Sequence, residues 1–389
     1  MSRRSKVLSV IGGLVVLLLT CAMVLLSHNG TCEAPPPLAA NLPFMRAMVY
    51  RCYGAPQMVK LETLEKPRPA PDRVLVKVAV AAVNPLDWHY LEGEPYLMRA
   101  MSGVGRPTDI RLGVDFAGTV EAVGADVKRF KPGDRVFGGA DGSFAEYVTP
   151  RAEGSIALLP ANVSFEQAAA LPIAGVTALQ ALRDRGQVRP GMSVLINGAS
   201  GGVGTYAVQI AKILGAKETG VCSTRNLAMV RSIGADKVID YTREDFTLLA
   251  DHYDLIIDIV GSHSQSEYRR VLTPSGAVIM VGGVNCGVCV GPLLAWLGES
   301  VASPFMAKKS LTFLAELNGR DLTQLGGWMA AGKLTSVIDR KYALTEVPAA
   351  LGYLEQGHAR GKVLIDLTVE VPGQRDASLA NSAPAAGRP

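Results

Sequence analysis

The residues best placed to do chemistry lie in the run Val194-Leu-Ile-Asn-Gly-Ala-Ser-Gly-Gly-Val-Gly204, an apolar strand that breaks into glycines and opens a helix at Thr205. Gly198, Gly201 and Gly204 fall at Gly-x-x-Gly-x-x-Gly spacing. Residues without a Cβ let such a turn close, let the backbone approach an anion and let the helix pack on the strand. The helix start adds free N–H groups and the positive end of a dipole. The segment therefore reads as a cradle for a dinucleotide pyrophosphate, lined by Gly198, Ser200, Gly201, Gly202, Val203 and Gly204. The alternative is a purely structural strand-to-helix turn.

The next strand decides between the two common nicotinamide dinucleotides. An acidic residue at its tip would bind the 2′-hydroxyl of NAD, but Thr219-Gly-Val-Cys222 is followed by Ser223-Thr-Arg225. Hydroxyls and a guanidinium suit a 2′-phosphate, so Ser223 and Arg225 point to NADPH. A lone solvated arginine is the bland reading of Arg225. Further apolar strands, Leu255 to Val260 and Ala277 to Val281, alternate with helical stretches. That alternation predicts a doubly wound parallel sheet of Rossmann type with ligand over its carboxyl edge.

Upstream, from Arg46 to about Leu171, short strands punctuated by Gly and Pro replace the strand-helix alternation, as in Arg73-Val-Leu-Val-Lys-Val-Ala-Val80 and Lys131-Pro-Gly-Asp-Arg-Val-Phe137. This predicts a compact β-rich module. The fold class is thus α/β with a second, β-rich domain. Length (389 residues) and 48% hydrophobic content allow two full cores. Net charge is +4, and no basic cluster interleaved with aromatics appears, which argues against a nucleic-acid partner.

Six cysteines are scattered, unlike a disulfide framework. Cys286 and Cys289 form a Cys-x-x-Cys pair with no second pair or nearby His to complete a zinc site, and they read as incidental.

From Val7 to Leu26 there is no charge, and Arg3, Arg4 and Lys6 precede the stretch. Its length predicts an uncleaved membrane anchor, a transmembrane helix with the amino terminus in the cytoplasm. A cleaved signal would need a small-residue site nearer than Ala39-Ala40. Ser2-Arg3-Arg4 hints at a twin-arginine export signal, although Lys6 stands where an apolar residue is wanted. Alternatively translation starts at Met45 and the protein is cytoplasmic. Ser27 to Pro43, with three consecutive prolines, reads as a spacer holding the globular part off the membrane. The tail from Val371 is rich in Ala, Ser, Pro and Gly and predicts disorder.

Taken together, Val83-Asn-Pro-Leu-Asp87, Leu112-Gly-Val-Asp-Phe-Ala-Gly118, Pro132-Gly-Asp-Arg-Val136, Gly142-Ser-Phe-Ala-Glu-Tyr147, Leu171-Pro-Ile-Ala-Gly-Val-Thr-Ala178, the glycine run, Gly234-Ala-Asp236 with Asp240-Tyr241, and His358-Ala-Arg-Gly-Lys-Val363 resemble the medium-chain dehydrogenase/reductase superfamily over about Arg46 to Leu367. The resemblance implies a GroES-like catalytic domain closed by C-terminal strands around an inserted nucleotide-binding domain. It divides the chain into an anchor or signal (1–26), a Pro-rich linker (27–45), the GroES-like domain (46–171), the Rossmann NADP-binding domain (172–312), a return to the catalytic domain (313–368) and a disordered tail (369–389).

Zinc-dependent members carry a Cys where this chain has Asn84 and a His-Glu pair where it has Val114-Asp115, and their structural-zinc cysteines are missing too. The chain therefore resembles the zinc-free quinone oxidoreductase branch, with no metal expected. Without a Lewis acid to hold an alkoxide, the acceptor expected is a quinone or an α,β-unsaturated carbonyl, which spreads the incoming charge. An alcohol or aldehyde oxidoreductase, or a membrane-tethered NADPH-binding module with little turnover, are the competing readings. A homodimer is common in this branch.

The resemblance also assigns site residues. Asn84 is expected to touch the nicotinamide ribose or substrate, or to be a turn residue before Pro85. Asp87 would orient Asn84 or the ribose, or serve as a cap. His89 or Tyr90 would protonate the product, or merely line the cleft. Thr177 resembles a nicotinamide-side contact, Tyr241 a residue beside the adenosine, and Lys362 a residue reaching the cofactor or simply starting the closing strand.

Overall fold

The computed structural model describes residues 17, 20–38, 41–281 and 309–369. The first lobe opens with an antiparallel pair, β1 (Phe44–Val49) and β2 (Lys60–Glu65). β3 (Val74–Val83), β4 (Asp115–Val123), β5 (Arg135–Gly139), β6 (Tyr147–Val148) and β7 (Ile156–Leu158) follow as neighbours in an antiparallel sheet. Helix α1 (Pro85–Glu92) leaves the end of β3, with Pro85 in its first turn, where the missing N–H costs nothing. α2 (Pro172–Gln180) then crosses to the second lobe.

That second lobe holds, among the described residues, β8 (Ser193–Asn197), β9 (Lys217–Cys222), β10 (Lys237–Asp240), β11 (Tyr253–Asp258), β12 (Leu272–Met280) and β13 (Lys309–Thr312) in the order β10-β9-β8-β11-β12-β13. Every pairing is parallel. β8 is buried from Val194 to Asn197, as a strand covered on both faces must be, and α3 (Gly202–Ile213) follows it directly.

The chain then returns. β14 (Ile338–Ala343) pairs with β15 (Lys362–Asp366), and β15 lies antiparallel to β3 with Val363 opposite Val83. These two late strands thus extend the sheet of the first lobe. The cleft is fixed because one hydrophobic cluster runs through both lobes, from Ala82 and Phe137 through Val176 and Leu179 of α2 to Val194 and Tyr206. Each such valine or leucine contributes roughly 1.5–3 kcal/mol by burial.

The amino-terminal expectations fare differently. No helix among the described residues is long and apolar enough to cross a membrane, so the anchor has no support there; apart from Leu17 and residues 20–26, the stretch from Val7 to Leu26 lies outside the described residues. The spacer expectation needs correction. Cys32 is disulfide-bonded to Cys52 of the first lobe, and the Gly30 N–H donates to Gly105 O at 2.7 Å. This stretch is a strap on the domain, because the cysteines scattered in sequence meet in space. Cys286, Cys289 and the tail beyond Val369 lie outside the described residues.

Candidate active site

On the nucleotide side, the turn after β8 is shaped by close approach. Gly198 has φ +91°, and a Cβ on Gly204 would stand 2.1 Å from the Gly198 carbonyl oxygen. Only glycine lets α3 begin this near the strand. At Gly201 a Cβ would find only Gly198 O, at 3.6 Å, so the turn is open on the side where an anion would lie.

A cavity of about 600 Å³ spreads from this turn, lined by Gly198, Ser200, Gly201, Ser223, Arg225 and Tyr241, with His358 and Ala359 of the returning segment opposite. Arg225 reaches across it and donates from Nη2 to His358 O. Asn226 Nδ2 donates to Ser200 Oγ at 3.0 Å and to Ser223 Oγ at 3.2 Å, while its Oδ1 is buried without a partner. No carboxylate stands at the tip of β9; Asp240, at the end of β10, is occupied by the Thr224 and Thr242 hydroxyls.

Three of the expected lining residues sit behind that wall. Val203 packs against the core, Gly204 is buried beneath the turn, and Gly202 faces Lys362. Thr177 is half-buried on α2, away from this cavity's lining.

On the other side of the cleft the polar groups face each other. Asn84 is 2% exposed, and its Nδ2 donates to Asp115 Oδ2 at 3.0 Å and to Ala82 O at 3.3 Å. Lys362, 3% exposed, donates from Nζ to Asn84 Oδ1 at 2.5 Å and lies 3.3 Å from Asp115 Oδ2. Asp115 Oδ1 accepts the Ile173 N–H, at the start of α2, at 3.0 Å. Burial pushes the Asp115 carboxyl up, and Lys362, Asn84 and the Ile173 N–H oppose it. The expected reach of Asn84 and Lys362 toward a cofactor is therefore turned inward: the lysine cation binds the positions that the resemblance matches to zinc ligands.

Asp115 was not among the expected site residues. Its signal was available, since an acid left behind where a metal set has vanished needs another cation. Among the described residues no three His, Cys, Asp or Glu side chains come together as a metal site.

Asp87 caps the Asn84 N–H through Oδ2 at 2.7 Å, as a first-turn carboxylate should. Its Oδ1 is buried and unpartnered. Burial raises its pKa to about 7, the charge of Asp115 adding to the rise while the Asn84 N–H and Lys362 hold it back. Asp87 and Tyr90, one helical turn apart, line a second cavity of about 290 Å³ with Tyr50, Ser102, Thr108 and Arg111. Burial also raises the Tyr90 phenol, helped by Asp141 and Asp87. His89 lies outside that lining; its Nδ1 is 2.9 Å from Glu94 O, and burial lowers its pKa. Of the two, Tyr90 lines this cavity and His89 does not.

Known proteins share this architecture. The alcohol dehydrogenase GroES-like domain family matches residues 70–161, and the zinc-binding dehydrogenase family matches residues 233–365. The chain is 35% identical to 2-methylene-furan-3-one reductase of Solanum lycopersicum over 82% of its own length and 79% of that protein. The chain belongs to the zinc-free, quinone oxidoreductase-like branch of the medium-chain dehydrogenase/reductases. Within that branch it is also similar to the chloroplastic NADPH-dependent alkenal/one oxidoreductase of Arabidopsis thaliana, at 34% identity over 82% of this chain and 79% of that one. The quinone oxidoreductase of Coxiella burnetii superposes with a TM-score of 0.74 at 30% identity, covering 84% of this chain and 100% of that one.

As a medium-chain reductase the protein is a nicotinamide-dependent oxidoreductase. The residues present fit that cofactor: an open glycine turn at a helix start, a guanidinium and hydroxyls beyond β9, and an orphaned amide oxygen on Asn226 among them.

Proposed function

We propose that the protein reduces quinones or α,β-unsaturated carbonyls with NADPH. The observation that carries this reading is the second cavity, which places the Tyr90 phenol and Asp87 beside a closed Asn84–Asp115–Lys362 cluster. Ser200, Gly201, Ser223, Arg225 and Tyr241 would hold the dinucleotide, with the Arg225 guanidinium and Ser223 hydroxyl taking the 2′-phosphate. Bound there, the cofactor supplies a hydride.

The chain's own residues handle charge and protons. Tyr90 would present its O–H to the acceptor cavity, where an oxygen gains negative charge as reduction proceeds, with Asp87 one turn earlier on the same wall. A conjugated acceptor delocalises that charge, so hydrogen-bond donors suffice without an ion bound directly to the oxygen. Lys362 and Asp115 hold Asn84 and the start of α2 fixed, which keeps the cleft walls in register. The names of the relatives, a furanone reductase, an alkenal/one oxidoreductase and a quinone oxidoreductase, support the same acceptor class.

The full chain incubated with NADPH and a panel of quinones, enones and aldehydes, with loss of reduced-nicotinamide absorbance followed, tests this. Quinones or enones should be consumed and simple aldehydes spared. Turnover confined to aldehydes, or cofactor binding with no turnover of any panel member, would overturn the reading.

A further inference from the structure

Between α1 and β4 the chain makes an excursion whose regular elements are two single-turn helices, Tyr96–Met98 and Arg99–Ser102. Such short pieces have little core of their own, so their order rests on tertiary ties. Arg99 supplies them. It is 2% exposed, its guanidinium stacks over Tyr53 and Tyr96, and Nε and Nη2 donate to Gly93 O and Glu92 O.

The rest of its valence goes to the amino-terminal strap. Nη1 donates to Leu26 O at 3.0 Å, to Asn29 Oδ1 at 2.8 Å and, more weakly, to His28 O at 3.3 Å. Gly30 N–H reaches Gly105 O, and Arg106 pairs with Glu33. The strap is then sewn down covalently by Cys32 to Cys52, whose neighbour Tyr53 donates to Gly103 O at 2.7 Å and lies 2.8 Å from Ser102 Oγ. Ser102 and Met101 line the cavity of Asp87 and Tyr90.

We propose that the Cys32–Cys52 disulfide controls substrate binding: by holding the strap on Arg99 it fixes one wall of the acceptor cavity, and its reduction loosens that wall. Arg99 is thus a positioning residue for substrate. A buried cation that loses three acceptors turns toward water, and the 93–108 segment turns with it. Cys32 is exposed, so the bond is within reach of a dithiol. A thiolate of the dithiol attacks one sulfur, the S–S bond breaks, and the second thiol of the reductant resolves the mixed disulfide. Two electrons and two protons leave Cys32 and Cys52 as thiols and the reductant as a cyclic disulfide. The effect on substrate rests on the reductase reading above; the loosening of the wall does not.

The test compares the full chain, oxidised and dithiol-treated, with Cys32→Ser. Backbone hydrogen exchange over residues 93–108 should quicken about tenfold on reduction, with exchange at the glycine turn unchanged. KM for the quinone or enone should rise about five- to tenfold while kcat and NADPH affinity hold. Cys32→Ser should behave as the reduced protein with or without dithiol. Unchanged exchange over 93–108, or faster exchange with unchanged KM, would overturn the proposal. If the oxidised protein turns over no acceptor, the reductase reading fails, and exchange still decides whether the disulfide holds the wall.

Discussion

The two sides of the cleft hold polar groups by different means. Around the glycine turn the work is done by backbone: a positive φ at Gly198, the contact of Gly204 with the Gly198 carbonyl, and the free start of α3. Around Asn84 it is done by charges with almost no exposure, Asp115 and Lys362, brought together across 247 residues of chain. A backbone cradle is insensitive to pH and is written in a few adjacent residues. A buried ionic cluster is neither: it depends on every member being present and on the protonation of its neighbours.

Breaking the cluster should have the largest effect. Asp115→Asn leaves the Lys362 cation buried without its counter-charge and should destabilise the protein by about 3–5 kcal/mol in denaturant unfolding. Adding Lys362→Met should recover part of that loss, a coupling that two independent sites would not show. On the backbone side, Arg225→Gln should weaken NADPH binding by about 10–100-fold, corresponding to one charge-assisted contact, and leave NADH nearly untouched. Equal losses for both nucleotides would remove Arg225 from the 2′-phosphate site.

Two raised carboxyls sharpen the contrast further. Asp87, held up to about 7, lines the second cavity; Glu218 on β9, held up to about 8 by burial and by Asp236 with Lys212 opposing, lines neither of the two cavities described, and both of its oxygens are buried and unpartnered. Each binds its proton more tightly folded than unfolded. The stability each contributes is therefore fully present at low pH and is lost progressively as pH rises, between 3.8 and about 7 for Asp87 and between 4.5 and about 8 for Glu218. Glu218→Gln should flatten the fall in stability between about pH 4.5 and about pH 8 and leave the pH–rate profile alone. Asp87→Asn should move the pH–rate profile as well; a profile unchanged in Asp87→Asn would limit that residue to its capping bond.

What could be read in advance follows the same division. The glycine spacing and the apolar strands are local, and the structure has the turn between β8 and α3 and the parallel strands that the pattern implied. The closing strand was legible only through resemblance, since Lys362 meets Asn84 across 278 residues and no periodicity reports such a pairing. Tyr90 and His89 were indistinguishable as neighbours on a helix until the cavity showed which one it lined. The strap was misread because proline-rich composition describes an isolated chain, whereas Cys32, Asn29 and Gly30 act through partners that appear only once the first lobe has folded.

The lysine at the heart of the acceptor side also shapes what this scaffold can become. Installing a thiol at position 84 and an imidazole–carboxylate pair at 114 and 115 would recreate the ligand types of a metallo-alcohol dehydrogenase, yet a divalent ion arriving there would meet the Lys362 ammonium beside the carboxylate at 115. Position 362 would have to change in the same step, since losing Lys362 alone strands the buried Asp115 charge and losing the Asn84 amide alone takes a partner from both. Evolution from this state toward metal dependence therefore faces a valley rather than a slope.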